Sequence, residues 1–149
     1  LGSFTGTDRR FQYKGEVAGV TIVDDYAHHP TEIQATLNAA HNYPHKKLWC
    51  VFQPHTYTRT KHFFQSLQGT YLADHVVLAD IYAARETDTL GISSEDLQAK
   101  IKELGTPCEY FPTFDEIETY LLNNCAPGDL LITMGAGDVV KIGEQLLGK

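Results

Sequence analysis

Five short apolar runs, Val20–Val23, Leu48–Phe52, Val76–Ile81, Cys108–Phe111 and Leu130–Met134, recur along this chain, and stretches with helical spacing separate them. Runs of this length, rich in β-branched and aromatic residues, suit buried strands better than helices. A strand that is apolar on both faces needs cover on both, so the alternation predicts an α/β fold with a doubly wound, mostly parallel sheet and helices on both faces. The intervening helices read as Thr31–Asn42, Thr60–Tyr71, Ser94–Leu104, Phe114–Asn124 and Val139–Leu147. Pro30 fits a first helical turn, and the pairs Thr31/Gln34 and Thr113/Glu116 have capping-box spacing. Ahead of the first core strand, Leu1–Gly19 stands apart. It holds Arg9, Arg10, a possible strand at Phe11–Tyr13 and a Lys14-Gly15 turn, together suggesting a hairpin.

In such a Rossmann-like sheet, ligands sit outside the carboxyl ends of the strands, near the point where strand order reverses. The polar clusters of this chain fall there: Asp24–His29 after the first core strand, His55–Arg59 after the second, Tyr82–Asp88 after the third and Gly135–Asp138 after the last. The first cluster packs Asp24, Asp25, Tyr26, His28 and His29 against a helix start, whose N–H groups and dipole favour an anion. Side by side, Asp24 and Asp25 point in different directions, so one of them is expected to reach a ligand. Taken alone, paired histidines before a proline more often cap a helix or face solvent, and aspartates there can simply complement the dipole. Arg59 and Lys61 oppose the dipole of the helix they open, and binding a carboxylate would explain such placement. The glycines Gly135 and Gly137 permit a tight turn and close packing of the next helix. The Glu86–Gly91 stretch reads as a mobile loop.

The same sequence excludes several classes. At 149 residues and 42% hydrophobic content it can bury one core, and its net charge of −7, from twelve Lys and Arg against nineteen Asp and Glu, argues against bulk nucleic-acid binding. Cys50, Cys108 and Cys125 fit no zinc spacing, which suggests buried free thiols in a reducing cytoplasm. No metal site is expected from them. No membrane span or signal segment is read, so a cytoplasmic protein is expected. No GxxxxGKS/T phosphate loop, dinucleotide fingerprint or nucleophile elbow occurs, so the chain holds no self-sufficient catalytic set.

Two segments, DDYAHHPTE at Asp24–Glu32 and FQPHTYTRTK at Phe52–Lys61, resemble in order and separation the carboxy-terminal domain of the Mur ligase family. The likeness extends to Phe4-Thr5-Gly6, to Arg10-Phe11, to Asp80–Glu86 and to Thr133–Asp138. The PHTYTRT segment favours the branch that adds L-alanine over the related ligase that recycles a tripeptide. The resemblance implies an ATP-dependent ligase of peptidoglycan precursor synthesis, serving cell division and cell shape. UDP-N-acetylmuramate would become an acyl phosphate, which the amine of L-alanine attacks. It also implies two further domains, one for the UDP-sugar and one with the phosphate loop and most Mg2+ ligands. Residues 20–149 would then be the carboxy-terminal domain with the amino-acid site and part of the ATP site, and residues 1–19 the junction to its neighbour. By the same resemblance Arg10 and Asp25 contact the nucleotide ribose, while Tyr26, His28, His55 and Arg59 surround L-alanine. Asp24, Thr56, Gly135 and Asp138 would complete the rim. Thr56 departs from the pattern, since many relatives have a second arginine there. The alternatives are a Mur ligase for another amino acid or peptide, and a noncatalytic nucleotide-binding module.

Overall fold

The computed structural model describes residues 12–26, 30–57, 60, 73–83, 87, 90–135 and 137–148. Six strands form one sheet: β1 (Gln12–Val17), β2 (Val20–Asp25), β3 (Leu48–Phe52), β4 (His75–Leu78), β5 (Cys108–Tyr110) and β6 (Leu130–Met134). Their spatial order is β1-β2-β6-β3-β4-β5, with β1 antiparallel to β2 and the other pairings parallel. Four described helices flank it: α1 (Pro30–His41), α2 (Ser94–Glu103), α3 (Phe114–Asn124) and α4 (Val140–Leu146). The predicted helix over Thr60–Tyr71 lies outside the described residues apart from Thr60, and of the loop predicted at Glu86–Gly91 only Thr87, Leu90 and Gly91 are described.

Alternation along the strands divides the core into two layers. Leu48, Cys50 and Phe52 of β3 pack with Leu130, Ile132 and Met134 of β6 under α1 (Ile33, Leu37, Ala40) and α2 (Leu97, Ile101). Trp49 and Val51 point the other way, joining Ile22, Leu131 and Val77 under Ile117 and Leu121 of α3 and Ile142 of α4. Period-two alternation in a strand apolar at every position produces this double burial. The doubly wound α/β prediction therefore holds.

The hairpin forms, with its turn shifted from the expected place. Val17 pairs with Val20, leaving Ala18 and Gly19 as a two-residue loop, both at positive φ (52° and 83°). Such tight turns need φ > 0 at both central residues, which suits Gly19. Lys14-Gly15, the predicted turn, lies within β1, where the register slips between Tyr13 and Gly15. The resulting bulge leaves Lys14 outside the paired ladder, and its Nζ meets Glu144 Oε2 of α4 at 3.3 Å. At α1 the helix begins with Pro30, so Thr31 lies inside the first turn and is not its N-cap. Thr113 does cap α3, its Oγ1 accepting from the Glu116 N–H. The cap of α2 is a full capping box between Ser93 and Asp96 that the sequence reading passed over.

The chain winds outward from β2 through β3, β4 and β5, then returns to insert β6 between β2 and β3. At that insertion β2 leads into α1 over one face, while the neighbouring β6 leads into α4 over the other. Adjacent connections leaving to opposite faces open a crevice at the carboxyl ends of β2 and β6.

Candidate functional site

The two aspartates that end β2 diverge, as alternation requires. Asp24 is fully buried, and its Oδ1 accepts from Thr133 Oγ1 at 2.7 Å, across to the β6 residue it faces in register. Asp25 turns toward α1, where its Oδ2 accepts from Thr36 Oγ1 at 3.0 Å. Only 2% of Asp25 is exposed, so its carboxylate is a fixed acceptor at the floor of the crevice and not a mobile surface charge. Its carbonyl accepts from the Gly135 N–H at 3.2 Å, which fastens the start of the glycine turn to the end of β2. Tyr26, the next residue, is exposed.

The end of β3 is built differently. Gln53 continues the ladder by donating its N–H to Met134 O at 3.0 Å, and Pro54 then lets the chain leave the sheet. His55 pairs with Tyr82 in an isolated parallel bridge; Tyr82 N–H donates to Pro54 O, and Thr56 N–H to Tyr82 O, each at 2.8 Å. The rings of His55 and Tyr82 stack with centroids 5.6 Å apart and 24° between planes. This local bridge replaces the upper part of the strand predicted over Val76–Ile81, which ends at Leu78. Thr56 follows at φ 60°, a conformation that β-branched residues rarely adopt. Its carbonyl accepts from both the N–H and the Oγ1 of Thr60, at 3.1 and 2.7 Å. Backbone strain held in place by such hydrogen bonds clusters at ligand sites.

With β6 between them, the ends of β2 and β3 lie two strand spacings apart, about 10 Å. That span suits a crevice receiving small polar ligands. Beyond β4 the rim continues as an open cleft of about 420 Å3, lined by Tyr57, Asp80, Ile81, Ser93, Ser94 and Asp96. Tyr110 donates its phenol proton to Asp80, and burial, that hydrogen bond and the Asp80 charge together raise its pKa. All three thiols are free, and burial pushes Cys50, Cys108 and Cys125 each up to about 12. At neutral pH none is a thiolate nucleophile.

Of the residues singled out from sequence, Asp24, Asp25, Tyr26, His55, Thr56, Gly135 and Asp138 all stand at this one end of the sheet. Arg10, His28 and Arg59 lie outside the described residues. Sequence reading missed the roles of Thr36, Thr133 and Gln53. Thr133 is a lone hydroxyl in an apolar strand, a visible signal; Thr36 offers none, because threonine on a helix is unremarkable. Among the described residues no group of three or more His, Cys, Asp or Glu could hold a metal ion. No described helix is long and apolar enough to cross a membrane.

A doubly wound domain whose polar crevice opens at the carboxyl ends of its strands has the architecture of a ligand-binding α/β domain. The chain belongs to the family described as Mur ligase, glutamate ligase domain, whose model matches residues 9–137. It is 63% identical over 148 residues, 99% of its length, to UDP-N-acetylmuramate–L-alanine ligase of Lachnospira eligens, of which it spans 32%. The crystal structure of UDP-N-acetylmuramate–alanine ligase from Thermotoga maritima superposes over 94% of this chain and 29% of that one, with TM-score 0.73 and 25% identity. A murein peptide ligase from Psychrobacter arcticus matches with TM-score 0.76 over 99% of this chain and 31% of its own, at 24% identity, a likeness of fold alone. The chain thus spans about a third of the length of the curated relative.

Proposed function

We propose that this chain is the carboxy-terminal, substrate-binding domain of a cytoplasmic ATP-dependent ligase that joins L-alanine to UDP-N-acetylmuramate in peptidoglycan precursor synthesis. The observation that carries the reading is that the alanine-ligase match runs the length of the chain, across both strand-end segments. Fold similarity alone is no guide here, because ligases of alanine and of murein peptide superpose about equally well.

In this reading ATP phosphorylates the sugar carboxylate, releasing ADP; the alanine amine attacks the acyl carbonyl, phosphate leaves, and the amine loses a proton. This chain supplies binding and orientation. Arg59 offers two parallel donors to the alanine carboxylate, a task suited to its planar fork. In the same reading His28 and His55 border the amine beside Tyr26, and one of them orients the amine or neutralises developing charge. Arg10 and Asp25 take the nucleotide ribose, and the Thr36 hydroxyl supports this by holding the Asp25 carboxylate in a single orientation. Asp24, Thr56, Gly135 and Asp138 shape the rim. Mg2+ belongs to ATP chemistry of this kind, but the described carboxylates do not form a site for it: Asp24 and Asp25 face opposite ways, each on a threonine hydroxyl. Residues 1–19 form the junction to the rest of the enzyme.

The test is phosphate release by the full-length protein with ATP and UDP-N-acetylmuramate, comparing L-alanine with the tripeptide used by the recycling ligase. Alanine-dependent release is expected, and Arg59→Ala should weaken alanine use by roughly 2 to 5 kcal/mol with ATP use little changed. Preference for the tripeptide would assign the chain to the other branch, and no amino-acid dependence would favour a nucleotide-binding module.

A further inference from the structure

Gln53 is 5% exposed and carries the one buried side-chain polar atom among the described residues that lacks a hydrogen-bond partner, Oε1. Its orientation is unambiguous. Nε2 lies 3.1 Å from Asp138 Oδ1, and a carboxylate only accepts, so the amino end of the carboxamide must face Asp138. The oxygen is thereby turned under Gly137, where a Cβ would come within 2.5 Å of it. The same Cβ would stand 3.0 Å from Cγ of Tyr82, the ring that stacks on His55. Gln53, Gly137, Tyr82 and His55 are therefore in successive contact, with Asp138 as the anchor at one end.

A buried carboxamide with an orphaned oxygen is a poor choice for stability, since an apolar side chain of similar size would avoid the desolvation penalty. Its position in the wall of the crevice points to a use other than stability. We propose that Gln53, anchored by Asp138, is a positioning residue that seats the Gly137 backbone against Tyr82 and so fixes the plane of the His55 imidazole. This deepens the functional reading above, in which His55 borders the amino-acid site. Gln53 itself touches no substrate. No side chain fits at position 137, so the carboxamide reaches the backbone directly and a displacement there is passed to Tyr82 without slack.

Polarity exchange gives the test. Gln53→Glu keeps the shape but sets a carboxylate against Asp138, whereas Gln53→Glu with Asp138→Asn restores one donor and one acceptor with the roles reversed. Gln53→Leu removes the anchor with no charge clash. In NMR spectra of this chain, the His55 ring-proton resonances, shifted by the Tyr82 ring current, should move in both single variants and return in the double variant. In the full-length enzyme kcat/KM for alanine should fall about 10- to 100-fold in the single variants, recover in the double variant, and leave KM for ATP unchanged, in line with the cost of small misplacements at a reacting centre. His55 resonances and alanine kinetics at wild-type values in Gln53→Leu would overturn the proposal, as would a double variant that folds without recovering either. Should Gln53→Glu fail to fold, Gln53→Leu and the double variant carry both readouts. A wild-type enzyme without alanine-dependent turnover would instead refute the functional reading, and the His55 resonances would still decide the role of Gln53.

Discussion

At the scale of single residues, the rim is set by short polar side chains that orient longer ones. Thr36 is the plainest case, because its hydroxyl donates to Asp25 Oδ2 and both residues are buried. Thr36→Val keeps the shape and removes the donor, so the domain should lose about 1.5 to 3 kcal/mol of unfolding free energy, the worth of a hydrogen bond to a charged group. In the full-length enzyme the same variant should raise KM for ATP more than KM for alanine. A chemical-denaturation series and two substrate titrations check both parts. Thr56 makes the opposite prediction, since a β-branched residue at φ 60° is strained. Asparagine tolerates that region, so Thr56→Asn should raise stability by about 1 kcal/mol, read as a higher denaturation midpoint at constant slope. Most of the rim was legible in sequence because polar residues directly after apolar runs mark strand ends. Gln53 sat in plain view within such a cluster, yet its role depends on Asp138 and Gly137, more than eighty residues away, and pairings of that kind leave no local trace.

At the scale of elements, the apolar runs located the core strands to within a few residues, because parallel strands buried on both faces have little freedom in composition. The errors came where tertiary contacts override local signals. The Lys14-Gly15 pair has turn chemistry but is recruited into β1 by pairing with β2, and the end of the β4 run is diverted into the His55–Tyr82 bridge. Another feature emerges only in three dimensions: His75 at the start of β4 stacks on Trp49 with centroids 4.6 Å apart, and Tyr120 Oη of α3 lies 3.1 Å from its Nε2. Burial lowers the His75 pKa below the ordinary 6.5; Lys47 adds to this, and Glu109 opposes it. Above 6.5 both folded and unfolded chains hold it neutral, and this contribution to stability is fully present. As pH falls below 6.5 the unfolded chain takes up a proton first, so stability is lost progressively down to the folded-state pKa. Urea unfolding midpoints should therefore drop between about pH 7.5 and pH 5.5, and His75→Gln should flatten that part of the profile. An unchanged slope in His75→Gln would assign the effect to carboxylates.

At the scale of the whole molecule, the sheet order assembles the floor of a crevice in one domain, and the ligase proposed above must also hold its nucleotide's phosphates. Asp25 is fixed at the ends of β2 and β6, His55 and Tyr82 beyond β3, and no GxxxxGKS/T segment occurs in the 149 residues. A reaction that activates a carboxylate with ATP needs those phosphates clamped in line with the acceptor, which one wall cannot do. The 149-residue chain alone should therefore release no phosphate from ATP in the presence of UDP-N-acetylmuramate and alanine. Adding the remaining two thirds of a relative as a separate polypeptide should restore turnover, saturating with the concentration of the added piece, because linkage in one chain normally supplies an effective concentration in the millimolar range. Thr36→Val should weaken this complementation through its ATP dependence, tying the restored activity to the crevice floor and not to nonspecific association. Turnover by the isolated chain, at a rate independent of any added partner, would sink the division of labour drawn here.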